Sequence, residues 1–342
     1  MELTILQGLW FFLIFVLIGI YLVLDGFDLG AGVLYHVLGK DDQEKAIIRT
    51  SVGPVWDGNE VWLLTAGGAL FAAFPAAYAT TFSGFYLAVM LVLFGLILRA
   101  MAIEYISFDP KWAKPWGVIF TVASFLPALL LGVAVGCIYA GIPMDANGDY
   151  NGIPLLGLIT PFTLLCGLLG LSSMLCSGAA WIALKAPKPS ALQERAAKLL
   201  PTLQIVMLAL FVIVTIYALA VVRPEMVGAL AVVRWLLAIL VVVGIVASLM
   251  ASKKGCDIGA FVLQSVAAFL LVMLLACSMF PNLVVASASS VGATITAATA
   301  ASSQLTLTWM TGITCVFLPI VLIYTVLVWY KFRGRVDVDD LH

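Results

Sequence analysis

Apolar residues along this chain gather into long runs separated by short polar connections. A hydrocarbon core of about 30 Å asks for about 20 apolar residues per helix. Nine runs meet that length, at about 4–25, 52–74, 76–98, 116–140, 157–184, 200–222, 230–251, 259–280 and 305–330. The pattern predicts an all-α polytopic membrane protein of nine transmembrane helices, organised as a single integral membrane domain over 1–342. The first apolar stretch continues through Gly26, Gly30 and Gly32 to Leu38. At about 1.5 Å per residue it is too long for one straight span, so a break or interfacial turn is expected near Asp25-Gly26.

The basic residues test the count. The connections after the first, third, fifth and seventh runs hold Lys40, Lys45 and Arg49; Arg99, Lys111 and Lys114; Lys185, Lys188, Arg195 and Lys198; and Lys253 and Lys254. The C-terminal tail adds Lys331, Arg333 and Arg335, so fifteen of the 17 basic residues fall on one side. Only Arg223 and Arg234 fall on the other. By the positive-inside rule the N-terminus is expected outside and the C-terminus in the cytoplasm. The first residues, MELTILQGLWFF, have no basic n-region and no small-residue cleavage site before Asp25, and read as a first span rather than a signal peptide.

Composition narrows the class. Apolar and aromatic residues make up 63% of the 342 positions and charged residues 10%, where soluble domains carry about 25% charged. A soluble fold cannot hide so much apolar surface, which excludes soluble enzymes and nucleic-acid binders. The six cysteines (Cys137, Cys166, Cys176, Cys256, Cys277 and Cys315) show no CxxC spacing and read as small helix-packing residues. The loop 281–304 is free of charge and rich in Ala, Ser and Thr, which suits packing rather than chemistry. The segment DANGDYNG at 145–152 resembles a calcium loop but has Tyr150 where the sharp-turn Gly belongs and Leu156 where the bidentate Glu belongs, so it reads as a polar turn.

Charges inside the apolar runs carry the chemistry. A lone Asp near a helix centre costs about 2.5–3.5 kcal/mol on insertion scales. The first run carries Asp25 and Asp28; the second carries Asp57 and Glu60 within Trp56-Asp57-Gly58-Asn59-Glu60-Val61-Trp62. Each pair is three apart, on one helix face. No Lys or Arg lies in either run, so four carboxyls facing lipid would cost on the order of 10 kcal/mol. They should face the protein interior, a partner subunit or a water-filled path, all near the cytoplasmic side. Such groups suit proton transfer; helix capping or hydrogen bonding to a partner is the plainer use of the same residues. There are two histidines, His36 and the terminal His342, too few to supply axial ligands for several haems. The eleven Met residues scatter as packing, and no Walker loop, dinucleotide fingerprint or zinc spacing occurs.

The segments VLDGFDLGAGVLYHVLG at 22–38 and PVWDGNEVWLLTAGGALFAAFPAAYATTFSGFY at 54–86 carry a further signal. Together with Met279-Phe280-Pro281 and SSQLTLTWMTGITCVFLPIVLIYT at 302–325, the chain resembles subunit II of cytochrome bd-type quinol oxidases. The resemblance implies a membrane heterodimer of the bacterial or archaeal cytoplasmic membrane that reduces O₂ to water with electrons from quinol. It implies two b-type haems and one d-type haem in the larger partner, subunit I, with no haem ligand, metal or nucleic-acid partner in this chain. A small single-helix subunit belongs to some such complexes, and a bound quinone in this chain is left open. Carried over position by position, Asp25 and Asp57 are proton-path residues and Trp62 marks the mouth of an oxygen channel. Glu60 joins the path more weakly because relatives carry Gln there; Asp28 is weaker again. Trp56, Gly58 and Asn59 are interface or packing residues, and His36 has no counterpart in the motif. Oxygen could pass beside Gly67-Gly68-Ala69.

Two other functions use the same features. A proton-coupled secondary transporter also needs intramembrane carboxylates, although no paired interrupted helices appear in corresponding halves. A purely structural assembly subunit would use the acidic residues as interface glue.

Overall fold

A computed structural model of the chain describes residues 3–108, 111–223 and 230–337; His342 lies outside them. The chain is an all-helical membrane protein. Its helices are α1 (Ile5–Leu38), α2 (Asp42–Val52), α3 (Trp56–Ala73), α4 (Pro75–Gly84), α5 (Tyr86–Phe108), α6 (Ala113–Ala140), α7 (Pro161–Lys185), α8 (Ala191–Tyr217), α9 (Ala231–Lys253), α10 (Asp257–Met279), α11 (Ala297–Ala300) and α12 (Gln304–Lys331). Eight helices among the described residues have the length and hydropathy to cross a membrane: α1, α5, α6, α7, α8 with its π-helical end at Ala218–Val222, α9, α10 and α12. The helix α3 has 18 residues but carries Asp57, Asn59 and Glu60 in its first turns.

The expected break near Asp25-Gly26 is not there. α1 is one helix of 34 residues, opened by a Thr4–Gln7 capping box and closed at Gly39. At about 1.5 Å per residue it is about 51 Å long. Its glycines permit close packing instead of interrupting the helix. A Cβ at Gly30 would collide with the Met174 carbonyl on α7, and one at Gly178 would collide with the Gly30 backbone; likewise a Cβ at Gly32 would strike Ser124 on α6. Small residues that let backbones approach are how membrane helices gain dispersion contacts. α1 is accordingly the central helix, packed against α7, α6, α3 and α10.

The third expected run, 76–98, also resolves differently. Its first part is the short α4, and the spanning helix α5 extends ten residues past 98 to Phe108. Arg99 therefore lies inside a helix, fully buried, and not in a connection.

Short polar elements hold the bundle ends. α2 is amphipathic, capped by Asp41, and buries Ile47, Ile48 and Val52. Beside it, Arg195 donates to the Leu38 carbonyl at 2.9 Å and forms an ion pair with Glu44. At the opposite end, the segment 141–158 meets the small β1 (Asn282–Val284) and β2 (Ile295–Thr296) hairpin through the Ile142–Ala286 bridge. Asp145 Oδ1 there accepts from the backbone N–H groups of Asn147 and Asp149 at 2.9 Å each, closing a tight turn.

The helix α12 is held mainly by its ends, and Leu307 is its one buried residue. Near its start, Trp10 Nε1 donates to Thr311 Oγ1 at 3.0 Å, and Ser302 Oγ donates to the Ala72 carbonyl at 2.6 Å. Past its other end, Lys185 Nζ donates to the carbonyls of Phe332 and Gly334, and Arg335 reaches Asp257 at 2.7 Å. Trp329 closes this end against Phe27, Trp181 and Phe261.

Candidate functional site

The site is assembled by three helices distant in sequence. α1 supplies Tyr21, Asp25 and Asp28 on one face, one turn apart. The first turns of α3 supply Asn59 and Glu60, and α5 supplies Arg99. A single guanidinium nitrogen, Arg99 Nη2, donates to Asp25 Oδ1 at 2.7 Å and to Glu60 Oε1 at 2.6 Å. The Arg99 and Asp25 side chains have no exposure, and that of Glu60 has 22%. Such charge-assisted bonds are about twice as strong as neutral ones. They are needed, because a buried charge without a partner costs several kcal/mol.

Asp28 joins through an amide. Asn59 Nδ2 donates to Asp28 Oδ2 at 2.7 Å and to the Leu24 carbonyl at 3.2 Å. The remaining oxygens Asp25 Oδ2 and Asp28 Oδ1, with Arg99 Nε and Nη1, are buried without a hydrogen-bond partner among the described residues. The Tyr21 ring lies beside Asp25 and also packs on Trp62 in one small apolar cluster with Leu17 and Ala66. The site thus sets two carboxyls on one cation and a third, Asp28, on a neighbouring amide, with one oxygen of each aspartate left over.

The structure therefore brings Asp25, Asp28 and Glu60 together and leaves Asp57 apart. Asp57 is exposed and lines a groove of about 680 Å³ between α3 and α12. Trp62, Gly68, Ala69, Trp10 and Phe317 line the same groove, and Trp62 itself is buried to 4%. Asn59 spans the two regions, since it lines the groove and bonds Asp28. Trp56 packs on the main apolar core, whereas a Cβ at Gly58 would meet open space.

His36 stands away from this cluster, its Nδ1 2.9 Å from Thr121 Oγ1. Its Nε2 edge packs on Gly117, where an added Cβ would sit 3.4 Å away.

Arg99 is the residue that the sequence reading missed. Its signal was the continuation of apolar residues beyond it, Ala100, Met101, Ala102 and Ile103, which places the arginine within a span rather than after one.

Outside the spans, Glu44 has a shifted acidity. Partial burial pushes its carboxyl up, but hydrogen bonds from Arg195 and the Lys40 N–H, with the Arg195 charge, outweigh this and hold it below the usual range.

Comparison with known proteins agrees along the whole chain. The family model described as cytochrome bd terminal oxidase subunit II matches residues 6–332. The chain is 33% identical to cytochrome bd-I ubiquinol oxidase subunit 2 of Escherichia coli K12, covering 99% of this chain and 97% of the relative. It is 34% identical to cytochrome bd ubiquinol oxidase subunit 2 of Bacillus subtilis 168, covering 97% of each. Among solved structures, a chain of the bd oxidase from Geobacillus thermodenitrificans superposes with a TM-score of 0.75 over 96% of this chain and 99% of that one. At 15% identity this last likeness speaks for the fold alone.

Proposed function

The chain belongs to the cytochrome bd terminal oxidase subunit II family, and from that premise we propose that it is the non-haem-ligating subunit of a quinol:O₂ oxidoreductase of a bacterial or archaeal cytoplasmic membrane. Its partner is a subunit I that carries two b-type haems and one d-type haem. The groove between α3 and α12, with the exposed apolar residues Val61, Phe317 and Val321 along it, is the face we assign to that partner. We take α3 as a ninth span whose polar turns are covered in the complex, with the N-terminus outside and the C-terminus in the cytoplasm.

The reading of a proton path rests on one observation: Asp25 and Glu60 share the buried Arg99, and Asp28 lies beside them on the same face of α1, held by Asn59. Reduction of one O₂ to two waters consumes four electrons and four protons. The haems supply the electron chemistry; this chain's carboxyls would hold and pass protons. Three carboxylates against one guanidinium leave excess negative charge in a low-dielectric interior, which proton uptake neutralises. In our assignment Asp57 receives protons at the groove and Asn59 links it to Asp28. Asp25 Oδ2 and Asp28 Oδ1 carry the proton, while Arg99 fixes Asp25 and Glu60 in place. Trp62 bounds an apolar lane for O₂ beside Gly68 and Ala69.

Purified complexes with Asp25→Asn or Glu60→Gln test the path. Full haem content with slowed O₂ consumption supports it. A specific observation favours the assembly role too, because Arg99 ties α1, α3 and α5 into one unit. Loss of haem or of subunit I in both variants would move the assignment to assembly.

A further inference from the structure

Of the three carboxyls at the site, Asp28 is held differently from the other two. Arg99 Nη2 takes Asp25 at 2.7 Å and Glu60 at 2.6 Å. Asp28 is 2% exposed and makes no ion pair among the described residues; its hydrogen bond comes from the neutral Asn59 amide at 2.7 Å.

The surroundings supply no second cation among the described residues. The ionisable neighbours of Asp28 are Asp25 on its own helix, Glu60 on α3 and Arg99 on α5, with Tyr21 beside Asp25. Asp57 faces the groove. α6, α7, α10 and α12 also pack on α1, but carry acidic or basic side chains only in their end turns, at Lys114, Lys185, Asp257 and Lys331. α2 and α8 meet the far end of α1, where Arg49 bonds Tyr35 and Arg195 bonds the Leu38 carbonyl. Arg99 is therefore already matched by two carboxylates. A third would be a buried charge without a partner, and a buried acid in that position neutralises itself by taking up a proton.

Asn59 decides which oxygen carries that proton. Its Nδ2 donates to Asp28 Oδ2 and, at 3.2 Å, to the Leu24 carbonyl. A backbone carbonyl can only accept, so the amide must present Nδ2 here, and its two hydrogens serve these two acceptors. Asp28 Oδ2 is thereby kept as an acceptor, which leaves Oδ1 for the proton.

We propose that Asp28 is the carboxyl that holds a proton in the resting chain, on Oδ1, and that Asn59 is the positioning residue that fixes it there. Asp25 and Glu60 stay ionised on Arg99. The use of this proton in turnover rests on the proton-path reading, whereas its presence is a property of the resting site.

Infrared spectra of the assembled complex at neutral pH test the proposal. The unaltered complex minus Asp28→Asn should show the C=O stretch of a protonated carboxyl, since absorptions of lipid and of the partner subunit are common to both and cancel. In Asn59→Leu this band should move to higher wavenumber, because the Oδ2 carbonyl loses its donor; Asn59→Ala stands in should the leucine variant not assemble. An Asn side chain copies the protonated acid, its oxygen accepting from Asn59 and its NH₂ standing where the O–H stood. Asp28→Asn should therefore assemble with an unchanged melting temperature, and its failure to assemble overturns the proposal. So does a difference spectrum that holds only carboxylate stretches, and an unmoved band in an assembled Asn59 variant removes the role of Asn59. If the band is present while Asp28→Asn consumes O₂ at the normal rate, the proposal stands and only the path through Asp28 falls.

Discussion

Arg99 and Asp25 meet at 2.7 Å with neither side chain exposed, across 74 residues of chain. The pair joins the central helix α1 to α5, and the same Arg99 nitrogen also takes Glu60 of α3. Breaking a buried pair from one side leaves an uncompensated charge, at a cost of about 3–5 kcal/mol. Arg99→Met should therefore lower the melting temperature of the complex far more than Glu60→Gln. In the latter, the neutral amide can still accept from Arg99 while Asp25 keeps the charge balanced. Equal thermal shifts for the two would contradict this ranking.

Asp57 is placed differently, at the exposed groove, and makes no ion pair among the described residues. Asp57→Asn is expected to leave haem content and melting temperature near their original values. If it takes up protons, O₂ consumption should fall at least about tenfold, equivalent to about 1.4 kcal/mol in the barrier. Turnover measured at saturating quinol decides, and normal rates would remove Asp57 from the path.

Trp62 is buried against Tyr21 and Leu17 while lining the groove. Replacing it with Ala widens the lane and with Phe reshapes it. Either change should alter the apparent KM for O₂ while the haem spectrum stays the same. Oxygen kinetics that ignore both substitutions would rule out this route.

The Glu44–Arg195 pair predicts a pH effect at the bundle end. The Glu44 carboxyl lies below its ordinary value in the folded chain. Its contribution is then fully present above the unfolded carboxyl value of about pH 4.3 and is lost as pH falls through the lower folded value. Glu44→Gln should lower the melting temperature at neutral pH, and the gap from the original protein should close on acidification. A gap that stays constant down to about pH 3 would show that the pair adds no pH-linked stability.

The spanning helices were legible because each apolar run is read locally, and the boundaries of α6, α9, α10 and α12 fall within a few residues of the expected ones. Local reading failed where packing decides. The length of the first run suggested a break near Asp25-Gly26, yet Gly30 and Gly32 beyond it are close-approach points against Gly178 and Ser124, neighbours far away in sequence, and the helix runs on. Arg99 looked like the end of a span because arginine in lipid is costly. Its partners Asp25 and Glu60, 74 and 39 residues away, remove that cost and let the helix continue. The acidic residues of the site were visible as misfits in apolar runs. Their division into a shared cluster around Arg99 and a separate Asp57 depended on which face of α3 turns toward α1.

The moorings of α12 bear on the order of assembly. Trp10 and Ser302 fasten one end, Lys185 and Arg335 the other, and the turns between bury no side chain in this chain. The middle turns of α12 touch the bundle through Leu318, while Val316 and Ile320 stay more than half exposed. Substitutions in the middle of α12, at Val316 or Ile320, should go unnoticed in the isolated chain and be felt only when the two subunits join.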